Sequence, residues 1–283
     1  MNQYDLPEPL VRALTFERKA PVPNRFSVTH LIRSPLPRIL LMQHYNEIDE
    51  DISGNLWALL GKAVHYVIEK SDKDTEVRIE ANVDGSTVVG VSDYCKDGHI
   101  IDWKVSSAWS IVFAGTKDWE LQLQTYAYLL RDQNIKKLSV YLILRDWNQR
   151  DALSNPDYPP IPFQEISYEP WGFDRQEAYV KERVSLHHRA EIAPPGPISS
   201  EFWCTPEERW EKPDKWAVKK PGAQRALRVC SSKEEAEKVL EAVAGGVIEH
   251  RKGEQTRCQR YCAVNKWCPF YLSIHGEPNA DHP

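Results

Sequence analysis

Two aspartate-glycine pairs set the strongest constraint on this chain. Asp84-Gly85 and Asp97-Gly98 separate three β-prone runs, VRIEANV, STVVGVSDYCK and HIIDWKV. Aspartate-glycine between such runs closes a two-residue hairpin, so the three runs are predicted to form an antiparallel meander. With both turns tight, Glu80 faces Val89 across the first hairpin. Across the second, Lys96 faces His99, Tyr94 faces Ile101 and Asp93 faces Asp102. Directly opposed side chains lie about 4.5–5.5 Å apart, and like charges there repel. Period-two alternation adds Lys104 to the same face. Two carboxylates held together beside a lysine require a compensating cation. Glu69 and Glu80 are additional acidic candidates.

The flanking segments place the meander in an α/β frame. NLWALLGKAVHYVIEK (Asn55 to Lys70) precedes it and WELQLQTYAYLLRDQ (Trp119 to Gln133) follows it, both with apolar residues at helical spacing. KKLSVYLILRDW is a long β-rich run, and after a helical crossover it is a natural parallel strand of the same sheet. The order is helix, three strands, helix, strand. Upstream, SVTHLIRSPLPRILLMQHY predicts two short helices separated at a proline. Downstream come a proline-rich loop (Asp151 to Pro162), a third helix (FDRQEAYVKERVSLHHRAE) and the linker APPGPISS. The last segment carries a small hairpin, the helix SKEEAEKVLEAVAGG and three closely spaced cysteines. The expected division is a core over residues 1–192, a basic, cysteine-rich segment over 199–275 and a disordered tail over 276–283.

At 283 residues, 41% hydrophobic and 27% charged, the chain reads as a globular protein with a large core. No apolar run approaches the roughly 18 residues of a membrane span, and MNQYDLPEPLVRAL is too polar for a signal peptide. A cytoplasmic location is therefore expected, where clustered cysteines bind metal more often than they form disulfides. Net charge is −5, but its distribution matters more than its sum. From Cys204 to Tyr271 there are 14 Lys+Arg against 10 Asp+Glu, a balance of +4 that leaves −9 elsewhere. Lys215, Lys219, Lys220, Arg225 and Arg228 form the densest basic set, with no acidic residue among them. They are the candidate nucleic-acid-binding residues; a solvated strand pair is the alternative.

Four short motifs stand in order along this frame: a helical histidine, His65; G-V-S-D, Gly90 to Asp93; D-W-K, Asp102 to Lys104; and Q-L-Q-T-Y, Gln122 to Tyr126. In that arrangement residues 27–146 resemble the RecB-like branch of the PD-(D/E)XK nuclease superfamily. The resemblance implies a restriction-endonuclease-like αβββαβ core, a mixed central sheet flanked by helices. It further implies Asp93 and Asp102 as ligands of a catalytic divalent cation, with His65 as another. Lys104 would orient or activate the attacking water, or stabilise charge on the phosphate. Gln122 and Tyr126, four apart and so on one helix face, would support the metal and the lysine. The chemistry agrees, because phosphodiester hydrolysis needs a hydroxide near neutral pH and relief of developing charge, and Mg²⁺ or Mn²⁺ supplies both. One or two carboxylates suffice for Mg²⁺, whereas an imidazole ligand favours Mn²⁺.

Cys258, Cys262 and Cys268 form CQRYCAVNKWC near the C-terminal end. Some RecB-like nucleases, the CRISPR-adaptation exonucleases among them, hold an iron–sulfur cluster on one distant and three clustered C-terminal cysteines. This chain departs from that pattern. It has no cysteine before Cys95, its first spacing is x₃ where x₂ is usual, and Ser34 stands in the segment that resembles the usual cysteine-proline. Cys204, in EFWCTPEERW, is the best fourth ligand. Four thiolates suit [4Fe–4S] or tetrahedral Zn²⁺ almost equally, and the resemblance favours the cluster. Cys95 and Cys230 read as ordinary buried thiols.

The leading functional reading is a metal-dependent DNA nuclease, an exonuclease acting on DNA ends or single strands. It would resemble the stand-alone enzymes of phage replication and recombination modules and could act with recombination or replication proteins. Two alternatives stay open: a non-catalytic nucleic-acid-binding subunit that keeps the nuclease fold, and a metal-dependent hydrolase of another substrate.

Overall fold

The computed structural model describes residues 2–16, 18–73, 75–109 and 117–276. The chain divides into two compact units, Met1–Phe202 and Trp203–Pro283. Apart from Gly276, the expected disordered tail lies outside the described residues. No helix among the described residues is long and apolar enough to cross a membrane.

The first unit opens with α1 (Glu8–Leu14), the short strand β1 (Arg25–Ser27), α2 (Val28–Leu31), α3 (Leu36–Gln43) and α4 (Leu56–Glu69). The meander follows as β2 (Thr75–Val83), β3 (Ser86–Lys96) and β4 (His99–Ser106). Then come α5 (Lys117–Leu129), β5 (Lys137–Leu144), α6 (Gln149–Ser154), β6 (Phe163–Tyr168) and α7 (Phe173–Glu191). The segment from α4 to β5 is the expected αβββαβ order. Both aspartate-glycine turns form, with Asp84, Gly85, Asp97 and Gly98 all at positive φ, as a type I′ turn requires. Gly98 is also needed for space, since a Cβ there would lie 2.5 Å from the carbonyl oxygen of Asn134.

In the six-stranded sheet β3 is central. β2 runs antiparallel along its whole length, from Val83↔Ser86 to Thr75↔Tyr94. The opposite edge of β3 is shared. β1 pairs parallel at residues 87–89, and β4 pairs antiparallel only at Tyr94↔Ile101, Cys95↔Ile100 and Lys96↔His99. β4 then continues parallel to β5, and β5 antiparallel to β6. Residues 90–93 of β3 therefore have no strand on that edge, which opens a gap in the sheet between β1 and β4.

Helix α5 is buried on every side from Gln122 to Leu129. Leu123, Tyr126 and Ala127 join Ile100, Leu138, Val140 and Leu142 of the sheet and Val180 and Val184 of α7 in one core. Its buried Gln124 is satisfied, donating to the Glu169 carbonyl (2.8 Å) and accepting from the Trp171 N–H (2.9 Å) and Gln176 (3.0 Å). β1 is held from behind by Arg38, 2% exposed, which donates to the carbonyls of Val22 (2.7 Å) and Arg25 (3.1 Å) and pairs with buried Glu191.

The second unit contains β7 (Glu211–Lys212), β8 (Lys215–Lys219), β9 (Arg228–Cys230), α8 (Lys233–Glu241), β10 (Val247–Arg251), β11 (Glu254–Gln255), α9 (Thr256–Arg260) and α10 (Pro269–His275). β8 is the middle of a three-stranded sheet, β10-β8-β9. One face packs on α8 through Val218, Cys230 and Ala236 with Val239, Leu240 and Ile248.

Candidate active site

The gap between β1 and β4 is a cavity of about 570 Å³. β3 forms its floor. Asp102 and Lys104 of β4 line one side, Arg25 and Ser27 of β1 the other, while α4 contributes His65 and α5 contributes Gln122 and Tyr126. The four motifs, separate in sequence, thus line a single cavity.

Asp93 and Asp102 are not a laddered pair. The strands part after Tyr94↔Ile101. Asp93 Oδ2 itself accepts the Trp103 N–H at 2.8 Å, standing in for a backbone carbonyl. Its Oδ1 lies 3.4 Å from His65 Nδ1. That contact raises the imidazole's pKa above its ordinary value, against an opposing effect of burial.

Asp102 is 4% exposed. Its Oδ1 accepts from Gln122 Nε2 at 3.1 Å. Its Oδ2 lies 2.6 Å from Lys104 Nζ, an ion pair. Burial pushes the Asp102 carboxyl up from its usual range; Lys104 opposes the shift and Asp93 adds to it. Gln122 also accepts from Lys104 at 3.4 Å, so one amide touches both charged groups. Tyr126 donates to the carbonyl of Val91 at 2.8 Å, on the stretch of β3 that has a strand on one edge only. Burial takes its phenol to about 12.

Among the described residues, no group of three or more His, Cys, Asp or Glu side chains is gathered closely enough to hold a metal ion. At the candidate active site the available donors are the carboxylates of Asp93 and Asp102. That set suits a hard cation that keeps most of its waters. His65 approaches Asp93 at 3.4 Å, and the expectation that it is a further ligand stays a proposal. Glu80, the extra acidic candidate, lines the cavity but is held by Arg25 through two bonds of 3.0 and 2.8 Å.

The expectation of an iron–sulfur or zinc centre on Cys204, Cys258, Cys262 and Cys268 finds no support. None is in a disulfide, and among the described residues they are not gathered as a metal-holding group. Burial raises Cys204 to about 12, with Glu208, Cys262 and Cys258 adding to it, and raises Cys258 to about 11, with Cys262 and Cys268 adding to it. Cys95 and Cys230 are buried, Cys95 beside Gln133 at 3.0 Å.

The five-residue basic set is less free than its sequence suggests. Lys219 pairs with Glu249 of β10, and Arg228 with Glu235 of α8 at 3.3 Å. Lys215, Lys220 and Arg225 make no ion pair among the described residues.

Sequence reasoning missed Arg25, Ser27, Thr29 and Arg78, which share the cavity with the carboxylates. β1 is three residues long and shows no alternation to find. Arg78 could have been placed on Glu80's face by its spacing of two.

The profile of the PD-(D/E)XK nuclease superfamily matches residues 41–269. No curated protein matches the chain. Among solved structures, a crystal structure of the protein SSO0001 is similar at 22% identity and a TM-score of 0.44, over 67% of this chain and 88% of that one. A phage-related exonuclease from Haemophilus somnus 129PT is similar at 12% identity and a TM-score of 0.36, over 58% of this chain and 92% of that one. With most of its length matched and the αβββαβ core in place, the chain belongs to the PD-(D/E)XK nuclease superfamily.

Proposed function

We propose that this protein is a divalent-cation-dependent deoxyribonuclease that works as an exonuclease on DNA ends or single strands. The observation that carries the reading is the grouping of Asp93, Asp102, Lys104 and Gln122 around one cavity, with Asp102 buried and its Oδ2 2.6 Å from Lys104 Nζ. Asp93 and Asp102 would hold the cation. When bound, Mg²⁺ or Mn²⁺ supplies a water of lowered pKa and offsets charge on the phosphate.

The remaining work falls to the chain's own groups. Lys104, aimed by Asp102 and by the Gln122 amide, presents a cation where negative charge develops on the phosphate oxygens. Gln122 fixes Asp102 and Lys104 relative to each other. Tyr126 stays a neutral donor at neutral pH and anchors the unpaired edge of β3. The set of two aspartates and a lysine is complete, which favours an enzyme over a subunit that only binds.

The test is cleavage of a labelled single-stranded oligonucleotide and of linear duplex with Mg²⁺ or Mn²⁺, against EDTA. Lys104→Ala should lower kcat by about 10²–10³-fold. Wild-type cleavage by Lys104→Ala, or none by the wild type with either metal, would remove this reading.

A further inference from the structure

The cavity has a second, basic side that the carboxylate chemistry leaves unused. Two of its three strong cations are engaged: Lys104 by Asp102, and Arg25 by Glu80. The third, Arg78, is exposed and makes no ion pair or side-chain hydrogen bond among the described residues. The same cavity is lined by two hydroxyls, Ser27 Oγ and Thr29 Oγ1, 3.2 Å apart. Residues 25–29 precede the stretch matched by the family profile.

Register places these groups along β3. Ser27 lies against Val89 from one edge and Glu80 against Val89 from the other, while Arg78 lies against Val91. Asp93 is two residues further along the same strand, about 6.6 Å on at the rise of a β-strand. That is on the order of one nucleotide step. The Glu80 carboxylate engages two of the five guanidinium N–H groups of Arg25, which leaves others to donate.

From this placement we infer that Arg78, with Arg25, Ser27 and Thr29, forms a phosphate site for the nucleotide next to the scissile one. The inference rests on the nuclease reading and adds to it a second anchoring point on the substrate backbone. Arg78 does not touch the reacting atoms; it is a binding residue. Its loss should therefore weaken substrate binding and leave the chemical step intact.

The experiment uses the full chain and a short single-stranded oligonucleotide. Arg78→Ala should raise KM about tenfold or more while kcat stays within about threefold. In EDTA, anisotropy titrations over a series of salt concentrations should show weaker binding and a salt slope shallower by about 0.7, the loss of one phosphate contact. Arg78→Lys should restore the slope, and Thr29→Val should raise KM severalfold. Arg12→Ala, at an exposed arginine of α1 that does not line the cavity, should change neither quantity. Wild-type KM and slope in Arg78→Ala, or an equal loss in Arg12→Ala, would overturn the site while leaving the nuclease reading in place. A wild-type chain that neither binds nor cleaves would overturn both.

Discussion

The Asp93 carboxylate accepts the backbone N–H of Trp103 at the point where β4 leaves β3. One side chain therefore closes the ladder and lines the cavity. Removing it has two separable effects. Asp93→Ala should strand the Trp103 N–H and cost about 1–3 kcal/mol of stability. Asp93→Asn keeps an acceptor oxygen and should stay within about 1 kcal/mol of the wild type. Both should lose cleavage. Urea unfolding beside a nuclease assay checks this; equal destabilisation by the two substitutions would mean that the Trp103 contact is not made.

The local frame of this site was legible in the sequence because short-range rules govern it. Asp97-Gly98 fixed the register of Lys96↔His99 and Tyr94↔Ile101, and helical spacing located α4, α5 and α7. The register held up to Tyr94 and then stopped, because β1 competes for the same edge of β3 further along. That competition is tertiary. It depends on Arg38, far from β3 in sequence, holding Val22 and Arg25. The strand FQEISY and the helix inside the proline-rich stretch went unseen for the same reason: both are short and defined by what they pack on. Charges were misjudged more than backbone. No pattern along the chain shows that Lys219 meets Glu249 or that Arg25 meets Glu80.

Gly90 is required by the close approach of α5. A Cβ there would lie 2.6 Å from Tyr126 Cε1 and 3.0 Å from Val28 Cγ2. Tyr126 is buried and tied to the Val91 carbonyl, so it has little room to yield. Gly90→Ala should cost about 1–3 kcal/mol through overpacking. It should also lower kcat by displacing Tyr126 and, through it, Gln122. Normal stability with normal kcat in this variant would contradict the packing described.

Arg38 and Glu191 form a buried ion pair that holds β1 in place. Glu191 also accepts the Asn24 N–H at 2.8 Å. Arg38→Met would leave Glu191 buried without its cation, at a cost of about 3–5 kcal/mol. Arg38→Met with Glu191→Gln removes the stranded charge but keeps an acceptor, and should recover a substantial part of the loss. Thermal or urea unfolding of the wild type, both single variants and the double variant gives the coupling; additive losses would show that the two side chains do not interact.

His187 should make stability depend on pH in mildly acidic solution. It is 1% exposed, packs on Phe26 with ring centroids 5.5 Å apart, and bonds to the Arg33 carbonyl through Nε2 at 2.8 Å. Its Nδ1 has no hydrogen-bond partner. The imidazole is therefore neutral, with its proton on Nε2. Burial lowers its pKa from 6.5 to about 4; the Arg33 carbonyl opposes the shift, and Arg183, Arg38 and His30 deepen it. A histidine with a depressed folded pKa takes up protons more readily when unfolded, so its contribution is fully present above pH 6.5. That contribution falls away as the pH drops toward 4, by about 3 kcal/mol over the whole interval. His187→Phe keeps an aromatic ring against Phe26 and removes the titration. Urea unfolding of both proteins at several pH values between 4 and 7 should show a steeper decline in the wild type. Parallel curves would mean that the folded protein protonates His187 as readily as the unfolded chain does.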